Sequence, residues 1–97
     1  MLMDKHRKCI DRVDHELLKL FNERARAVAA IGEWKREHGG EIYDPEREAR
    51  ILRKLTRANR GPLDRRTVVH LFERIIDEFR GFERAAAERP KGRRRRK

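Results

Sequence analysis

The sequence predicts an all-α chain of three helices, one of them very long. Three observations carry this. No segment alternates apolar and polar residues for long, which excludes ordinary half-buried strands. Charged residues make up 45% of the 97-residue chain and aromatics only 6%, a balance suited to long solvated helices. The apolar residues recur at gaps of three, four and seven, the spacing of a helix stripe.

The first helix is expected from about Asp4 to Glu37. Its stripe is Ile10, Val13, Leu17, Leu20, Phe21, Val28 and Ile31, and Gly39-Gly40 stop it. Such a helix is about 50 Å long at 1.5 Å per residue. Two shorter helices cannot cover a stripe of that length, so a twofold-related copy is the simplest partner. The second helix begins at Asp44-Pro45-Glu46, an N-cap, a first-turn proline and an acid at the positive helix end. Its apolar face is Ile51, Leu52 and Leu55, and Gly61-Pro62 breaks it beyond Asn59. The third helix starts near Asp64, carries Val68, Leu71, Phe72, Ile75, Ile76 and Phe79, and runs to about Glu88. Gly81 weakens it by about 1 kcal/mol relative to alanine.

Residues 1–90 therefore read as one domain and 91–97 as a basic tail. The net charge is +10, but six positive charges lie in residues 91–97, leaving +4 for residues 1–90. The plain reading of the tail is a disordered, solvated run; the sharper one is a contact with nucleic acid or an acidic partner. A helical nucleic-acid-binding module is the rival from another functional class. It lacks a helix-turn-helix signature and aromatic residues interleaved with basic ones. Cys9 stands alone, and His6, His15, His38 and His70 share no ligand spacing, so no metal is expected. Without a signal-type apolar segment or a membrane-length run, the expected location is the cytoplasm.

The informative feature is charge where apolar residues belong. Each residue turns the helix by about 100°. Lys35 and Val13 then lie about 20° to one side of Arg24, and Leu17 and Ile31 about 20° to the other. Burying an unpaired cation is costly, so each must pair with an acid, snorkel to water or face an anion in a wet pocket. Glu48 shares the face of Ile51, Leu52 and Leu55, and Glu83 extends the stripe of Ile76 and Phe79. Internal ion pairs and an anion site between helices both satisfy this pattern. No Gly-rich phosphate loop and no Ser/His/Asp or Cys/His set is present, so any chemistry rests on positioned charges and hydrogen bonds.

Ordered pieces of the chain resemble the AroQ-class chorismate mutases. They are Arg7 with Ile10-Asp11-Arg12-Val13-Asp14, Leu17-Leu18-Lys19-Leu20, Asn22-Glu23-Arg24, Ile31-Gly32-Glu33-Trp34-Lys35 and Tyr43-Asp44-Pro45-Glu46-Arg47-Glu48. Gly61-Pro62-Leu63 and Leu71-Phe72-Glu73-Arg74-Ile75-Ile76 follow, so the match covers roughly residues 5–86. The resemblance implies an intertwined homodimeric helical bundle, and conversion of chorismate to prephenate in phenylalanine and tyrosine biosynthesis without a cofactor. It implies that Arg24 and the other chain's Arg7 clamp two carboxylates, and that Lys35 donates to the ether oxygen and a nearby carboxylate. Asp44, through its backbone N–H, and Glu48 match positions holding the ring hydroxyl. Arg47 matches a position supporting carboxylate binding.

Two positions depart from the common pattern. Phe79 stands where some members carry a small hydroxyl residue, and Glu83 where many have glutamine. A glutamine NH₂ donates, whereas a glutamate donates only when protonated. A sister activity, isochorismate-pyruvate lyase, is the nearest rival on the same scaffold. A shikimate-pathway enzyme is a further expected partner.

Overall fold

A computed structural model describes residues 1–88; the basic tail and the expected domain boundary at residue 90 lie outside the described residues. The described chain is three helices, α1 (Leu2–His38), α2 (Pro45–Ala58) and α3 (Arg65–Glu88), with no strand. Three of the boundaries follow directly from local chemistry. Gly39, at φ 88°, leaves the helical region and its N–H reaches the Lys35 carbonyl at 2.7 Å, which stops α1. The Asp44 carboxylate accepts from the Arg47 N–H at 3.0 Å, with Pro45 in the first turn of α2. The Asp64 carboxylate likewise accepts from the Thr67 N–H at 2.9 Å and starts α3. Gly81 does not interrupt α3.

α3 packs against both other helices, whereas α1 and α2 do not pack on each other. The result is a slab of 54 × 35 × 15 Å. A body 15 Å thick holds barely two layers of helix, each 10–12 Å across, so little can be enclosed. Among the described residues the buried apolar side chains are Val68, Ile76 and Ala86. Ile10, Val13, Leu17, Leu20 and Ile31, most of the α1 stripe, remain exposed, with Ile10 and Leu20 each 57% accessible. Leu71 of α3 is exposed as well.

The tightest helix contact lies at Gly32, which is buried. A Cβ built there would sit 2.6 Å from the Glu83 carbonyl oxygen and 3.2 Å from the Ala86 Cβ. Gly32 therefore lets the α3 backbone press against α1 at the residue that carries Glu83. Among the described residues, no helix is long and apolar enough to cross a membrane.

Candidate active site

α1 and α3, together with the start of α2, enclose an open cavity of about 200 Å3. Its apolar walls include Val28, Ile31, Ile51 and Ile76. Its polar lining brings together Arg24 and Lys35 from α1, Asp44, Arg47 and Glu48 from the α2 N-terminus, and Phe79 and Glu83 from α3. Every site residue expected from this chain's own sequence, apart from Arg7, thus lines one cavity.

Lys35 is held at two points. Its Nζ donates to a Glu83 carboxylate oxygen at 2.8 Å and to the Glu41 carbonyl at 2.8 Å. Both partners of the ion pair are mostly shielded, with side chains 21% and 15% accessible. The Lys35 stem lies over Gly40, where its Cγ sits 3.2 Å from the position a Cβ would take. The glycines after α1 therefore do more than end the helix: at Gly40 the chain leaves room for the lysine to turn back over the loop. For Lys35, the internal ion pair foreseen from its helix face is present.

Arg24 differs. Among the described residues, no acid pairs with its guanidinium. Its carbon lies 4.5 Å from the centre of the Phe79 ring, a cation–π contact, and Phe21 packs against the same ring at 6.3 Å. Burial, followed by the repulsion of neighbouring Arg47, pushes the Arg24 guanidinium below its ordinary value. An arginine stays protonated regardless. Two like charges are consequently held at one cavity, and an anion placed between them relieves the repulsion. Phe79, the position that departs from a small hydroxyl residue, offers no hydrogen bond here and instead forms a platform for Arg24.

Glu48 is clamped by Arg80 of α3, which also lines the cavity. Arg80 Nε and Nη2 donate to the two Glu48 oxygens at 3.0 and 2.8 Å. Donating to the Glu48 carboxylate, aided by Asp77, holds the Arg80 guanidinium above its ordinary value. Reading the sequence by apolar stripes missed Arg80. Its signal was its spacing, four residues after the core residue Ile76 and three before Glu83.

Arg7 is exposed and lies outside this cavity. It precedes Arg24 by 17 residues, about 25 Å along a helix, so it cannot reach the cavity of its own chain. Among the described residues there is no cluster of His, Cys, Asp or Glu suited to a metal.

The family model for type II chorismate mutases matches residues 6–84. The chain belongs to the type II chorismate mutase family. It is 43% identical to a bifunctional chorismate mutase/prephenate dehydratase of Neisseria gonorrhoeae, over 86% of this chain but 22% of that protein. It is 32% identical to a chorismate mutase of Methanocaldococcus jannaschii, over 84% of each chain. A chorismate mutase structure from Thermus thermophilus superposes with a TM-score of 0.84 at 38% identity, covering 86% of this chain and 94% of that one. The family fold is thus shared along nearly the whole described chain. The chain spans about a fifth of the bifunctional relatives it matches.

Proposed function

We propose that this chain catalyses the rearrangement of chorismate to prephenate. The observation that carries the reading is the pair of guanidinium groups, Arg24 and Arg47, which no acid pairs with among the described residues, at a small cavity shared with Lys35. An anion site suits a dicarboxylate, and family membership names the one. The reaction is unimolecular and needs no nucleophile. The protein must fold a flexible dianion into its reactive shape and stabilise negative charge as the ether C–O bond breaks.

In this reading Arg24 and Arg7 of a second copy bind the carboxylates, with Arg47 in support. Lys35 donates to the ether oxygen, and Glu83 assists when it carries a proton. Glu48 and the Asp44 N–H hold the ring hydroxyl. The working form is a homodimer in the cytoplasm, supported by the uncovered apolar stripe of α1. The bifunctional relatives support an enzyme of the same pathway as a partner. No cofactor takes part.

The test is loss of chorismate absorbance with prephenate formed, alongside isochorismate as the rival substrate. Lys35→Ala is expected to slow turnover by about 10²–10³-fold, the effect of losing one preorganised donor, with helical circular dichroism retained. Pyruvate release from isochorismate without prephenate formation from chorismate, or a Lys35→Ala variant at wild-type rate, would sink the reading.

A further inference from the structure

A carboxylate that accepts from a substrate hydroxyl works only if its oxygens point the right way. Glu48 sits in the first turn of α2 and lines the cavity. Left free, its side chain would sample several rotamers. The structure instead fixes it from α3. The Arg80 guanidinium meets both Glu48 oxygens in a two-point fork, at 3.0 and 2.8 Å. Arg80 is itself fixed from two further sides. Its Nη1 lies 3.1 Å from Asp77 Oδ1, and its carbon lies 4.9 Å from the centre of the Tyr43 ring.

This arrangement separates Arg80 from the other cations of the cavity. Two carboxylates neutralise it locally, so it has little attraction left for a substrate carboxylate, unlike Arg24. Each Glu48 oxygen accepts one hydrogen bond from Arg80 and keeps a second lone pair. We infer that Arg80 is a positioning residue, holding the Glu48 carboxylate in the orientation that accepts from the substrate's ring hydroxyl and so setting selectivity for a hydroxylated ring. The inference rests on the mutase reading above. A lysine in place of Arg80 supplies one point of contact rather than a planar fork and orients Glu48 less well.

A strut between α2 and α3 would show the same ion pair, so the test needs a readout that packing alone does not move. Turnover of chorismate is compared with turnover of an analogue whose ring hydroxyl is replaced by hydrogen. Arg80→Met is expected to lower kcat/KM for chorismate roughly tenfold, the scale of one charge-assisted hydrogen bond. It should leave the analogue within about twofold, because no hydroxyl remains to be oriented. Arg80→Lys should fall between wild type and Arg80→Met, which keeps the question answerable if Arg80→Met folds poorly. Combining Arg80→Met with Glu48→Gln should be no worse than Glu48→Gln alone. Equal losses on both substrates, or additive losses in the double variant, would overturn the role of Arg80. A wild-type protein that converts neither substrate would instead overturn the mutase reading beneath it.

Discussion

Arg24 and Lys35 look alike on the helical wheel, yet the fold treats them differently. Lys35 meets Glu83 at 2.8 Å, whereas Arg24 rests on the Phe79 ring and faces the cavity with no acid paired to it among the described residues. The sequence placed both on the core side of α1, because helix periodicity is local. Which of them finds an acid depends on how α3 lies across α1, and periodicity does not contain that. The Lys35–Glu83 contact also defines a test. An ionised Glu83 competes with the substrate for the Lys35 ammonium, and it has no proton to donate. Glu83→Gln removes the competing charge and supplies an NH₂ donor. The variant is expected to be at least as active as wild type, measured as kcat on chorismate. A loss of about tenfold or more would show that the carboxylate itself, and not a donor at this position, is what the reaction needs.

At the level of elements, the three helices and three of their ends were legible because capping chemistry is local, whereas α1 starts at Leu2, ahead of the expected Asp4, with no side-chain cap. Asp44, Asp64 and Gly39 act where their residue types predict. Gly32 was not legible as a contact. A glycine within a helix costs about 1 kcal/mol relative to alanine, and its reason appears only where α3 crosses. Gly32→Ala should recover that propensity but drive a methyl into the Glu83 carbonyl, a clash costing about 1–3 kcal/mol in a packed interface. The expected net result is a lower Tm together with a larger proportional loss of activity, since the displaced segment carries Glu83. Thermal unfolding and initial rates on the same preparation check this; a Tm above wild type would show that the α1–α3 contact is slack.

For the whole molecule, the 15 Å slab leaves the α1 stripe uncovered. Soluble proteins rarely leave an apolar stripe of this kind in contact with water. A twofold dimer would hide it and would allow Arg7 of one copy to approach the cavity of the other. Arg7→Ala and Arg24→Ala are each expected to be inactive. Co-refolded together, half of the dimers would be mixed and each would hold one intact site, restoring about a quarter of wild-type activity. Confirmed mixed dimers without recovered activity would show that each site is built within one chain.

Helix content, the capped helix ends and the polar residues on apolar faces are all set by near neighbours along the chain. The sequence by itself therefore determined them. Its ordered match to a family also assigned seven site residues from one chain, and these share one cavity. The tertiary structure decided the pairings: Lys35 with Glu83, Arg24 with Phe79 rather than an acid, and Arg80 with Glu48. Such pairings join residues 32 to 55 positions apart, and only the angle and closeness at which α3 crosses its neighbours sets which side chains meet.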